Sequence, residues 1–467
     1  MNEKDNFDVE LQEQQNNDAD DEIKERPRLT KKERVKILKK ERKQSKHLKK
    51  QQQKTLKKSQ KQEKKREVLS YEDMPLSSRE ELVGKIKTKK KLGKKKIILI
   101  IAIVVLLALL VFLFSIRDSL SFDNIRNFVV YGIFNSSSEE RFPVNIQGAS
   151  VENGNFTRME KCLAFSSDTS FSTYNNYGKC LYTSQISFSR PILVAKKTKS
   201  LIYNLGGKGF TINSIDENLY NGTTENDIIV ADIVDNGIYA IVTACDGYLS
   251  KIFVYDENNE QIFAYSFADY YITSVSLDSS GKKAVLSGLS ALDGGEISSV
   301  YVLDFTEQDP IVFKEFTNNI IYNVRFLTND HCSIIGNTAC YSLKVGSSQF
   351  EEYSYDSKIL TAFDVNDDTD TFTVSLSRSG DSRNCDIVCF NSDGKVTNTI
   401  ETDLQVISMS TYKNRIALLS NDNIYLYNRN GKLISEKEGG VDPHAVVLYD
   451  TNSAYVLKVS EIARLDL

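Results

Sequence analysis

Twenty consecutive residues, Ile97 to Ile116, carry no charge, and seventeen of them are Leu, Ile, Val or Phe. As a helix this stretch reaches about 30 Å, the thickness of one bilayer core. Each such residue favours insertion by roughly 0.3–0.6 kcal/mol, so the stretch as a whole favours it by about 5–10 kcal/mol. All faces are apolar and both ends break into charge, unlike a helix buried in a soluble core. The 96 residues ahead of it do not suit a cleaved leader. The sequence therefore predicts a single transmembrane helix over 97–116.

The net charge of −4 conceals two opposite parts. Residues 1–96 hold 31 Lys and Arg against 18 Asp and Glu, while 117–467 hold 28 against 45. Lys87, Lys89, Lys90, Lys91, Lys94, Lys95 and Lys96 crowd the start of the span, and its far end has only Arg117 beside Asp118. The positive-inside rule then keeps the N-terminus in the cytoplasm and exports the acidic remainder across the cell membrane. These seven lysines are the candidate lipid-surface residues. Each gains roughly 1 kcal/mol beside anionic inner-leaflet lipid.

Residues 1–96 read as a charged cytoplasmic arm, disordered at first and then a solvated helix over 29–68 whose apolar stripe is too thin for a coiled coil. No aromatic platform or groove-reading motif accompanies its charge, which weighs against nucleic acid as a partner. Beyond the span, Leu120, Phe122, Ile125, Phe128, Val129 and Ile133 recur at helical spacing. Residues 117–141 are thus expected to form an amphipathic neck helix and a polar linker.

From Phe142 the pattern changes to period two, with short strands between Asp, Asn, Gly and Ser turns. Leu163–Leu181 aligns without a gap to Ile416–Ile434, bringing Tyr174-Asn175 and Gly178-Lys179 onto Tyr427-Asn428 and Gly431-Lys432. Val254, Val302, Leu343, Val388, Leu426 and Leu465 stand at equivalent places, at steps of 48, 41, 45, 38 and 39 residues. The strands at 238–243, 283–288 and 415–420 recur upstream of them. Units of about 40 residues holding two to four strands are the blades of a β-propeller, since one blade cannot bury both faces of its sheet. With 192–205 included, eight units fit into 142–467, seven being the alternative and a pair of β-sandwiches the non-repeating one. The last unit lacks an outer strand, and Phe142-Pro143-Val144 is placed to supply it.

The segments LSFDNIRNF (120–128), FPVNIQG (142–148), the run 246–275, SSGKKAVLSG (279–288) and SVYVLDF (299–305) give the chain a resemblance to a family of bacterial single-span membrane proteins of unknown function with an exported propeller. The resemblance covers the span and roughly 117–467. It implies an envelope-facing module held on the membrane and brings no activity with it.

Motifs that carry chemistry are sparse. Of three histidines, His47 lies in the arm and His444 stands alone. His331-Cys332 does not supply the three ligands of a zinc site. Asp364, Asn366, Asp368 and Asp370 begin like a calcium loop, but Thr369 replaces the required Gly and Ser375 the bidentate Glu, so a polar turn is expected. No nucleophile elbow, zincin helix, phosphate-binding loop or dinucleotide fingerprint occurs. Neither catalytic nor metal-binding residues nor a cofactor are therefore assigned. Cys385 and Cys389 share a strand face too far apart to bridge, whereas Cys332 and Cys340 flank a Gly336-Asn337 turn and could bridge if that loop holds three residues. Ser290–Gly295 reads as a long flexible loop.

Three functions suit such a chain. The first is a binding or scaffolding module that engages an envelope protein or polymer. The second is a transmembrane signalling protein read through its arm. The third is an envelope glycan hydrolase or lyase using two carboxylates, with turn residues such as Asp256 and Asp393 having an equally good reason in turn geometry. The absence of Trp counts against sialidase-type repeats and weakens sugar binding, although 22 of the 23 tyrosines lie beyond the span.

Overall fold

The computed structural model describes residues 142–467 apart from 149, 293, 294, 379, 381 and 382. The arm, the span, the neck and the seven juxtamembrane lysines lie outside the described residues. Among the described residues, no helix is long and apolar enough to cross a membrane.

The strands form eight four-stranded antiparallel sheets, the blades of a propeller. Seven blades each take four successive strands: 156–185, 191–223, 228–267, 271–317, 321–354, 359–401 and 408–438. The eighth takes Pro443–Leu448, Ser453–Lys458 and Glu461–Asp466, and its outermost strand is Val144–Asn145, with Val144 opposite Ile462. The first strand of the ring thus completes its last blade, as the missing outer strand predicts. Eight blades are present and not seven.

Each interface between neighbouring blades holds its own apolar cluster. Met159, Phe171 and Ile202 join the first blade to the second, Val242, Ile252 and Leu286 the third to the fourth, and Phe165, Tyr455 and Ile462 the eighth to the first. The second strand of a blade serves two interfaces at once. In Arg415–Ser420, Ile416 and Leu418 face the sixth blade, whereas Ala417 and Leu419 face the eighth. This explains why these strands read as unbroken apolar runs. At roughly 25 cal/mol per Å2 of apolar surface removed from water, such clusters supply most of the ring's cohesion.

The repeated Asn and Gly-Lys positions are turns between third and fourth strands. Asn175 Oδ1 accepts the Lys179 N–H at 2.9 Å, Asn428 Oδ1 the Lys432 N–H at 2.9 Å, and Asn391 Oδ1 the Lys395 N–H at 2.9 Å. Gly178, Gly394 and Gly431 sit at φ of 80°, 81° and 89°, where a Cβ would be strained. Asp256 plays the Asn role by accepting from Asn258 N and Glu260 N.

Two expectations are corrected. Ser290–Gly295 is not a long flexible loop: Lys283–Leu292 and Gly295–Asp304 pair along ten positions, so the hairpin of the fourth blade simply continues. Cys332 and Cys340 do not bridge. The strands end at Gly336 and resume at Ala339, so the loop is the two residues Asn337-Thr338, and the pairs Ile335 with Cys340 and Cys332 with Leu343 put the thiols on opposite faces of the sheet. Cys332 packs toward the fourth blade and Cys340 toward the sixth.

Candidate functional site

The innermost strand of a blade has a hydrogen-bonded neighbour on one side only, leaving backbone N–H groups along the axis that need acceptors. The preceding blade supplies them from side chains. Asn155 takes Leu193 N at 2.8 Å, and Asp232 takes Leu277 N at 2.7 Å. Ser274 and Ser276 take Val324 N and Phe326 N, and Ser408 and Ser410 take Val446 N and Leu448 N. Asp364 Oδ2 accepts both the N–H and the hydroxyl of Thr411, at 2.6 and 2.7 Å.

The fifth blade departs from this rule. One residue before the end of its inner strand, where the third and fourth blades carry Asp232 and Ser276, stands Arg325, which has donors and no acceptor. Its guanidinium crosses to Asp367 of the sixth blade at 2.7 Å. Arg158 of the first blade reaches Asp368 at 2.7 Å and lies 4.5 Å from the centre of the Tyr412 ring. The supposed calcium loop is therefore a polar turn whose carboxylates diverge to Thr411, Arg325 and Arg158. Among the described residues no cluster of metal-ligating side chains occurs.

Beside this network a cavity of about 390 Å3 opens at the axial end that carries the turns between first and second strands. Lys196, Lys197, Asp235, Ser279, Thr328, Asp367 and Asp370, from five blades, line it. Burial raises the Asp364 carboxyl to about 6 despite the two Thr411 bonds. Burial also works against ionised Asp367, but Arg325, Lys196 and Arg158 outweigh it and hold that carboxyl below its usual value. His331 lies apart from the axis, bonded to Thr328 at 3.3 Å and facing Asp393 at 3.2 Å. His444 is exposed in the eighth blade.

The opposite end carries the connections between blades. Near the start of the inner strand, the register slips by one residue in the third, fourth, fifth, sixth and eighth blades, a bulge at Ile229, Thr273, Tyr322, Thr361 and His444. Bulges turn a side chain away from its own sheet, and Tyr322 stands 52 % exposed there. Tyr248, Tyr271, Ile359, Ile407 and Val441 are exposed on the same end. Period-two reading missed these residues because it assigns apolar side chains to the core.

The sequence profile of DUF5711, a family of unknown function, matches residues 139–467. The chain belongs to this family. No curated protein matches the chain. Among solved structures, the DUF5711 propeller is similar to BamB from Moraxella catarrhalis at 12 % identity and a TM-score of 0.44, over 69 % of this chain and 100 % of that one. It is also similar to the Cps50 (Swd1) β-propeller domain of Myceliophteria thermophila (10 %, 0.43, 70 % and 100 %). AztD from Citrobacter koseri is a third such structure (11 %, 0.46, 64 % and 88 %). Likenesses this distant assign neither partner nor activity to a DUF5711 chain.

Proposed function

We propose that residues 142–467 act outside the cell as a binding or scaffolding module at the envelope, anchored by the span at 97–116 with the basic arm inside. The charge asymmetry about the span and its uniform hydrophobicity support the anchoring and the orientation. Lys87, Lys89, Lys90, Lys91, Lys94, Lys95 and Lys96 would then meet anionic inner-leaflet lipid. The observation that carries the binding role is how the axial polar groups are used: Asp364, Asp367 and Asp368 are bonded across blade interfaces, which favours a rigid platform over a reaction centre. A protein or polymer of the envelope is the proposed partner. Proximity labelling from the propeller in cells should return one reproducible partner, and repeated blanks under native expression would contradict the reading.

One observation favours hydrolysis instead. Asp364, raised to about 6, and Asp367, held low, are three residues apart and of opposite tendency, the pattern of a general acid beside an ionised carboxylate. Turnover of wall glycans that Asp364→Asn abolishes would establish that reading.

A further inference from the structure

We infer that the connection end of the ring, from the third blade to the eighth, is a docking face for a cationic amphipathic polypeptide segment. The inference rests on the binding-module reading above and names the chemistry of what is bound. Tyr248, Tyr271, Tyr322, Ile359, Ile407 and Val441 come from the third, fourth, fifth and sixth blades and the entries to the seventh and eighth, one from each, and are 46–79 % exposed. Tyr271, Tyr322, Ile359 and Ile407 stand at or next to the starts of four successive inner strands, so they follow an arc around the axis. At the opposite end, the described turns between first and second strands, which rim the axis there, expose no large apolar side chain, and Ile311, Val396 and Leu433 are exposed only beside the turns into the outermost strands. Single exposed apolar residues are ordinary, but an arc of them at the starts of successive inner strands marks an interaction surface.

Charge selects the occupant. The connections and turns that carry these residues also carry exposed Asp227, Asp246, Asp269, Asp356, Asp403 and Asp442. Nearby cations are already engaged, Lys358 and Arg378 with Asp386 at 3.1 Å each and Lys458 with Glu461 at 2.9 Å. An anionic lipid surface or acidic polymer would be repelled, and so would a second copy of the same face. A segment with Leu or Phe along one side and Lys or Arg along the other satisfies both the arc and the carboxylates.

The test uses the full-length chain in neutral detergent, with empty micelles as the baseline and a fluorescent 18-residue Leu/Lys amphipathic peptide as the probe, read by anisotropy. Saturable binding is expected, weakened about tenfold or more by Tyr322→Ser with Ile359→Ser and likewise by Asp356→Lys with Asp403→Lys. Asp216→Lys with Asp256→Lys, at the other end, should leave it unchanged, and a Leu/Glu peptide of the same pattern should not bind. The two face variants are independent, so loss of folding in one, judged by its melting curve, leaves the other to decide. Equal binding of the Leu/Glu peptide, equal binding by both face variants, or capture of phosphatidylglycerol vesicles through the same residues would overturn the inference. A partner labelled in cells at another surface would also overturn it while leaving the binding-module reading intact.

Discussion

The guanidinium of Arg325 lies 2.7 Å from the carboxylate of Asp367, one residue before the end of the fifth blade's inner strand, where the third and fourth blades carry side-chain acceptors. The blade interface it crosses is otherwise joined by the apolar cluster of Ile335, Tyr355, Phe372 and Val374. Both ionic side chains are about a third exposed or more, which screens the pair. Arg325→Ala should lower stability by about 0.5–1 kcal/mol in urea denaturation, and less in high salt. Asp367→Asn should do the same, with no added loss in the double variant.

Asp364 and Asp367 should respond to pH in opposite senses. Asp364 is raised to about 6 in the folded chain, so the stability associated with its proton is complete below about pH 4 and is lost as pH rises through about 6. Asp367 is depressed, so its stability is present above about pH 4 and is lost as pH falls through its lower folded value. Relative to the parent, Asp364→Asn should therefore be more stable at pH 7.5 than at pH 5, by about 1.4 kcal/mol between the two. Paired melting curves at the two pH values check this. A difference that does not change with pH would contradict the assignment.

Ring closure depends on two residues of outermost strand. Val144 is 5 % exposed and packs with Phe156, Tyr455 and Ile462. Val144→Asp should cost about 2–4 kcal/mol by placing an unpaired charge in that cluster and freeing the edge of the eighth blade. Thermal unfolding and light scattering should show a lower midpoint accompanied by aggregation.

The cysteines should divide by burial. Burial raises the Cys162 and Cys340 thiols to about 12 and pushes Cys332 up as well, whereas Cys180 is exposed at the start of the outermost strand of the first blade. Iodoacetamide should label Cys180 in the native chain and reach Cys162, Cys332 and Cys340 only on unfolding. Peptide mapping without reductant should show no Cys332–Cys340 link.

What the sequence made legible follows from how locally each feature is determined. Second strands such as Arg415–Ser420 bury both faces, so their apolar run and its spacing mark every blade. The Asn and Gly-Lys turns require a side-chain acceptor and a positive φ, both encoded by residue type. The role of Arg325 was hidden because it depends on which inner strand lies alongside, and Asp367 sits 42 positions away. Tyr322 was hidden because one slipped residue turns a period-two apolar position outward. Ser290–Gly295 misled because small residues favour loops as well as the tips of long hairpins.

The central claim is that the propeller stands outside the cell, and Cys180 offers a direct measurement. A membrane-impermeant maleimide applied to intact cells should label the chain, and Cys180→Ser should remove most of that label. A cysteine introduced in place of Ser59 in the arm should react only after the membrane is permeabilised. Cys180 protected on intact cells while the arm cysteine is labelled would contradict the account.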